Sequence, residues 1–353
     1  MKMRILRYIF LLILILIAVF FLTRIPAVQD RVITNVINRV LNNQTILPED
    51  ALSAVVCGSR SPLPSPGRAE TCILIKAGKH LYVVDVGDGS VTNLRNWRIN
   101  LGKVKAVLLT HLHSDHISDL ADLHLNAWIT QSRSKKLIVY GPEGVDQVIK
   151  GFEEAYSLDY RFRNEHHGND IAPLEVAGFD PYVIDLSNPV IIDEDGLKVT
   201  AFAVVHDPVE PALGYRFDYK GRSIVISGDT IYHENVIKNS MNADVLFHEA
   251  QANHILKINE DAFRASGNIY GAKIMSDILT YHTTPVEAAE VANEANVGHL
   301  VFYHLTPAPR NDLMANMFVR GVNEIRKDWT LSEDGTMVIL SLNSDEIEIT
   351  SIK

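Results

Sequence analysis

The pattern of apolar and polar positions changes character along this chain. From Tyr8 to Leu22 every residue is apolar, with Lys2, Arg4 and Arg7 before the run and Thr23 and Arg24 closing it. A charged start followed by about 15 apolar residues predicts a signal peptide or a short signal anchor. A core helix is disfavoured because the run has no polar face. Arg24, Ile25 and Pro26 stand where a small-x-small cleavage site would fall, so an uncleaved anchor is expected over residues 1–23. The basic residues stay on the cytoplasmic side, which turns the rest of the chain outward, anchored to the membrane or secreted. Val32, Ile33, Val36, Ile37 and Val40 then recur at helical spacing before Asn42, Asn43 and Gln44, predicting a juxtamembrane helix and linker over 24–50.

From residue 51 to 353 the pattern reads as one domain. Short apolar runs predict strands at Ile73–Ala77, His80–Val86, Ala106–Thr110, Leu137–Tyr140, Leu197–Val205, Ser223–Ser227, Val245–His248 and Leu300–His304. Two further strands are predicted at Thr336–Leu342 and Glu346–Ile352. Helical spacing falls between them at Leu120–Ile129, Val145–Phe152, Asn235–Met241 and Pro285–Ala295. Strands alternating with helices define an α/β layered protein. Residues 153–196 mix charge, Gly and Pro with little periodicity, around Arg161, Arg163, His166, His167 and Gly168. They read as a surface insertion, functional or not.

Composition narrows the partners. The 353 residues are 47% hydrophobic and 22% charged, with a net charge of −10. No field over the whole molecule attracts a polyanion, and the one compact basic run, Arg133, Lys135 and Lys136, reads as a solvated loop. The only cysteines, Cys57 and Cys72, flank a Pro/Gly/Ser-rich turn between two strand-like runs. If those runs form a hairpin, the sulfurs face each other and an oxidising exterior would let them bond. Two buried thiols are the other reading.

The chemistry concentrates in Leu108-Leu109-Thr110-His111-Leu112-His113-Ser114-Asp115-His116. An apolar strand ends in three histidines and a carboxylate within six positions. On an extended backbone His111 and His113 point the same way and reach one metal, while the following turn presents Asp115 and His116 to a second. Imidazole with carboxylate suits zinc, and also manganese or iron. His206, Asp229, His304 and Asp85 each terminate another apolar run, where binding groups collect in α/β folds. His124, His233, His254 and His299 have no partners at ligand spacing and read as surface or core residues.

This set resembles the motif series of the metallo-β-lactamase superfamily, with His-x-His-x-Asp-His as its strongest mark, over nearly all of residues 51–310. The resemblance implies a four-layered αββα sandwich, here preceded by the N-terminal hydrophobic helix, and two divalent metal ions. His111, His113 and His206 would hold the first, and Asp115, His116 and His304 the second. Asp229 would bridge them, and Asp85 would orient a ligand by hydrogen bonding. True zinc β-lactamases resemble this plan without a carboxylate bridge, which disfavours antibiotic hydrolysis.

Several segments are similar to the ribonuclease Z branch: Val205-His206-Asp207 leading to Leu213–Phe217, Gly228-Asp229-Thr230, Ala243–Ala250, Tyr140–Gly144, and His282-Thr283-Thr284-Pro285. In that branch His282 would protonate the leaving group, Glu249 would hold it in place, and Asp115 would orient or deprotonate the attacking water. The His-Thr-Thr-Pro form, the segment Ala155–Arg161 with His166-His167-Gly168, and the export signal look like the branch's arylsulfatase-like members. No Gly/Pro-rich arm of the kind that grips transfer RNA is found. The expectation is therefore a small-molecule ester hydrolase, acting on aryl or alkyl sulfates and located outside the cytoplasm, with nucleic acid an unexpected partner and a homodimer left open. A phosphodiesterase or ribonuclease Z-type nuclease is the alternative, and an inactive metal-binding scaffold the third reading.

Overall fold

The computed structural model describes residues 2–42, 47–131 and 133–352. The chain divides into two units, Met1–Ile46 and Leu47–Lys353. The first holds two helices, Lys2–Leu22 and Pro26–Asn42. Met3–Leu22 is long and apolar enough to cross a membrane by length and composition, and none of it is buried. Asn43 and Gln44, expected at the polar end of the linker, lie outside the described residues.

The second unit is built on two sheets. In chain order, β1 (Ala51–Gly58), β2 (Cys72–Ala77), β3 (His80–Val84), β4 (Val104–Leu108), β5 (Leu137–Gly141) and β6 (Phe179–Val183) belong to the first. The second contains β7 (Val190–Glu194), β8 (Leu197–His206), β9 (Val209–Tyr219), β10 (Arg222–Ile226), β11 (Val245–Gln251), β12 (His299–Thr306) and β13 (Trp329–Leu331). The chain then returns to the first sheet with β14 (Thr336–Ser341) and β15 (Glu348–Ser351). The sheet orders are β15-β14-β1-β2-β3-β4-β5-β6 and β13-β12-β11-β10-β9-β8-β7.

The apolar runs are continuous because both faces of the central strands are buried. Alternate residues such as Leu52, Ile73, Tyr82 and Leu108 meet Val199, Phe217, Phe247 and Val301 between the sheets. The intervening residues face outward under helices: Val83, Val107 and Val139 beneath Leu123, Val145 and Ile149 on one side, and Leu246 and Phe302 beneath Ala288, Val291 and Phe318 on the other. Four αββα layers result, as expected. β3, β4 and β5 run parallel, as do β10, β11 and β12. Their carboxyl ends gather the site residues of both sheets at one edge of the sandwich.

The expected hairpin exists. β1 and β2 pair antiparallel with Gly58 opposite Cys72, and Cys57 is disulfide-bonded to Cys72. The loop between them is clamped by Asp334, whose carboxylate accepts from Ser59 N (3.0 Å), Ser59 Oγ (2.6 Å), Ala69 N (2.6 Å) and Asn93 Nδ2 (2.8 Å).

Residues 153–196 correct the sequence reading. The helix that begins at Val145 continues to His167, and β6 and β7 follow in the same stretch. Only Val145, Ile149 and Tyr160 of that helix are buried, so its apolar stripe is thin. The (i, i+4) pairs Lys150–Glu154, Arg161–Glu165 and Asp159–Arg163 support it instead. Gly168 ends it at φ 76°, where a side chain would be strained. His166 and His167 are exposed and contact each other. The strand expected over His80–Val86 stops at Val84, because Asp85 turns the backbone at φ 56°.

His124 is a core residue, packed against Trp128, Tyr160 and Phe179, with Nε2 accepting from Gly178 N at 2.7 Å. Burial, then Arg133 and Lys136, push its pKa down to about 4. Between that value and the ordinary histidine value the unfolded chain takes up a proton that the folded chain refuses. Stability contributed by neutral His124 is therefore lost as pH falls, at up to about 1.4 kcal/mol per pH unit. The unfolding free energy of a His124→Gln protein, which keeps an acceptor for Gly178, should fall less steeply from pH 6.5 to 4.5 than that of the wild type. Equal slopes in parallel urea titrations would show that His124 does not carry this linkage.

Candidate metal centre

The centre begins where β4 ends. Thr110 N and Thr110 Oγ1 both donate to the Asp85 carboxylate, each at 2.8 Å, so the turn leaving the sheet is fixed before His111 is reached. His113 is the extended residue before the short helix Ser114–Ile117, whose first turn carries Asp115 and His116. On the second sheet, Gly228 turns the chain after β10 at φ 65°. A Cβ there would lie 2.2 Å from the Leu213 carbonyl oxygen, so glycine is required to aim Asp229. His304 sits at φ 46°, and the β11–β12 register slips there: Glu249 pairs with Tyr303 but Ala250 with Leu305. This bulge turns the imidazole out of the strand pattern toward the other donors.

The structure brings all seven expected ligands together. Asp229 Oδ2 lies 3.2 Å from His304 Nε2, 3.5 Å from His116 Nε2, and 3.9 Å from both His111 Nε2 and His206 Nε2. Asp115 Oδ2 is 3.2 Å from His304 Nε2 and 3.4 Å from His116 Nε2. Tetrahedral donors about 2.0–2.1 Å from a zinc ion would stand about 3.3 Å apart, the same range. The groups His111–His113–His206 and Asp115–His116–His304 each converge closely enough to hold a cation, and Asp229 joins His111 and His116 in a third.

The donor chemistry fits divalent cations. His116 Nε2, His206 Nε2, His304 Nδ1 and Asp229 Oδ1 are buried with no hydrogen-bond partner, an arrangement that costs free energy unless something else satisfies them. Their other ring atoms are partly accounted for: His116 Nδ1 lies 2.9 Å from Asp85 Oδ2, and His206 Nδ1 donates to the Tyr281 carbonyl at 3.0 Å. Tying Nδ1 leaves Nε2 free to ligate. Burial opposes charge on His116, but Asp115, Asp229 and Asp85 together hold its pKa well above the usual range. Three carboxylates around one buried imidazole make a site that demands positive charge. Burial pushes His111, His113 and His206 down, the last to about 4, keeping them neutral donors.

Beside the ligands, His282 Nδ1 meets Glu249 Oε1 at 3.1 Å. Glu249 is fully buried on β11 and held by Thr283 N (2.9 Å) and by its own N–H on Ser227 Oγ (3.1 Å). Burial lowers the His282 pKa, yet Glu249 outweighs it and the net shift is upward. The ring stands 5.1 Å from His206 and 5.5 Å from His304. The helix Pro285–Glu294 fixes this segment from behind: Thr284 and Glu287 close a capping box and Pro285 opens the first turn.

The histidines without ligand spacing have structural partners. His233 caps the helix Glu234–Ser240, His254 meets the Met317 carbonyl, and His299 meets Thr330 Oγ1. One site residue is not singled out by the sequence. The Tyr281 ring lies 4.6 Å from that of His206 and 4.5 Å from that of His282. Burial first, then Asp229 and Asp115, raises its pKa, so the phenol keeps its proton at neutral pH. Its place next to His282 is the only signal that marks it.

Fold and donor set together define a divalent-metal-dependent hydrolase. A family model described as the beta-lactamase superfamily domain matches residues 80–305, and the chain belongs to that superfamily. It is 31% identical over 260 residues to the ribonuclease Z of Mycobacterium bovis (strain BCG / Pasteur 1173P2), covering 73% of this chain and 87% of that protein. The ribonuclease Z of Mycolicibacterium gilvum is 30% identical over 258 residues, covering 72% and 85%. Among solved structures, the metallo-β-lactamase fold protein YhfI from Bacillus subtilis aligns with a TM-score of 0.59 at 19% identity, over 82% of this chain and 99% of its own. The short form of human tRNase Z aligns with a TM-score of 0.55 at 21% identity, over 81% and 98%. These two share the fold.

Proposed function

We propose that this chain is a dinuclear metal-dependent phosphodiesterase acting outside the cytoplasm. His111, His113 and His206 would hold one cation and Asp115, His116 and His304 the other, with Asp229 within reach of both groups. Zinc suits the nitrogen and oxygen donors best, manganese or iron less well. Two such cations would supply Lewis acidity, lowering the pKa of bound water and neutralising charge on the ester. Asp115 orients the attacking water and accepts its proton. His282 gives a proton to the departing oxygen, and Glu249 favours the protonated imidazole and keeps it in place.

The observation that carries this reading is the buried Glu249–His282 pair set against the ligands His206 and His304. It argues against an inactive scaffold, which has no use for a proton donor held at the metals. Phosphodiester replaces the sulfate ester expected from sequence because the relatives named above are ribonucleases Z. The same names return nucleic acid to the candidate substrates. The net charge of −10 that disfavoured it is a whole-molecule quantity and does not describe the field at the site. The apolar helix Met3–Leu22 and the Cys57–Cys72 bond favour an exterior location, away from intracellular RNA, and keep a sulfate ester as the second reading.

The zinc-loaded full chain should hydrolyse bis(p-nitrophenyl) phosphate, and a His113→Ala protein should not. Turnover of p-nitrophenyl sulfate alone would overturn the diesterase in favour of a sulfatase. Turnover of neither would mean a carboxylic ester or lactone substrate.

A further inference from the structure

The mouth of the metal centre holds a polar group to which the mechanism above gives no task. Tyr281 is half-buried, with its ring set against the imidazoles of His206 and His282. Its backbone is fixed as well, because its carbonyl accepts the His206 Nδ1 hydrogen. Behind it, Gln251 Nε2 and Asn253 Nδ2 donate to the carbonyls of Ile278 (2.6 Å) and Leu279 (3.2 Å), bracing the chain that leads in. The hydroxyl makes no hydrogen bond among the described residues and is not sealed from solvent. A phenol packed by its ring against a metal-site imidazole and a proton donor, and unpaired at its oxygen, is an unused hydrogen-bond donor beside the site.

We propose that Tyr281 is a substrate-binding residue whose hydroxyl donates to a non-bridging oxygen of the ester. This rests on the ester-hydrolase reading above.

The test compares wild type, Tyr281→Phe and Tyr281→Leu as zinc-loaded full chains. With bis(p-nitrophenyl) phosphate, Tyr281→Phe should lose about 10- to 100-fold in kcat/KM. Metal content should stay at the wild-type ratio, since the ring is kept. A loss should also be seen with p-nitrophenyl phosphate, which carries the same non-bridging oxygens. Dimethyl phosphate, an unreactive monoanion, should bind about tenfold more weakly to Tyr281→Phe in calorimetric titrations. A Tyr281→Phe protein equal to wild type in kcat/KM, or in dimethyl phosphate affinity, would overturn the proposal and leave the ring a spacer, a role that Tyr281→Leu alone would disturb. If the wild type hydrolyses neither ester, the function proposed above fails. The dimethyl phosphate titration still decides the role of the hydroxyl, and no binding to wild type would reject it.

Discussion

Asp229→Asn is expected to remove hydrolysis almost completely, by more than about a hundredfold, and to lower the bound metal below two ions per chain. Outer hydrogen-bonding partners of metal ligands already cost about 10- to 100-fold when removed, and Asp229 stands in the middle of the ligand set. Its Oδ2 is within 3.9 Å of four histidine Nε2 atoms contributed by both sheets. Asparagine preserves shape and one oxygen acceptor but removes the charge. It also offers an amide where four imidazoles point their donor atoms. Burial penalises the Asp229 carboxylate, yet His304, His116 and His111 hold its pKa well below the usual range, so the native group is a fixed anion. Metal analysis after dialysis, alongside the initial rate, checks the expectation. A variant with two ions per chain and a rate within about threefold of wild type would remove Asp229 from the bridging position.

Much of the centre is legible in the sequence because strand-ending polar residues have few alternative explanations. His111, His113, Asp115 and His116 follow an apolar strand too closely to be solvated singly, and the structure buries all but His113. Asp85 is a sharper case, since a carboxylate after a strand could equally be a turn residue. The structure gives it both tasks, holding Thr110 and orienting His116. The helix over 153–167 is not legible from apolar spacing, because ion pairs between its turns support it. The hairpin of Asn253–Ala265 and Ile269–Asp277 is passed over by a strand-centred reading, although Ile255, Leu256, Ala272 and Met275 are its buried residues. Asp334 and Tyr281 could not be found by spacing at all. One acts on a loop more than 240 residues away in sequence, and the other through its ring contact with His206, 75 residues earlier in the chain.

His282→Ala should cost most where the leaving group is least able to depart as an anion. General acids contribute about 10²–10⁴-fold when a proton must be delivered in the transition state. A nitrophenolate leaves readily without that proton, whereas an alkoxide does not. The variant's rate constants across a series of phenyl and alkyl diesters should therefore fall more steeply with leaving-group basicity than those of wild type. A uniform loss across the series would instead mean that His282 serves the ligands beside it, for which the 5.1 Å approach to His206 gives a structural route. Glu249→Gln separates orientation from charge. It keeps an oxygen for His282 Nδ1 and Thr283 N but removes the anion that raises the imidazole's pKa. A loss of about tenfold is expected, concentrated again on poor leaving groups. Because Glu249 acts through His282, the double variant should be no slower than His282→Ala alone. Full additivity would instead assign Glu249 a separate task, such as holding Thr230 and Thr283 at the strand ends.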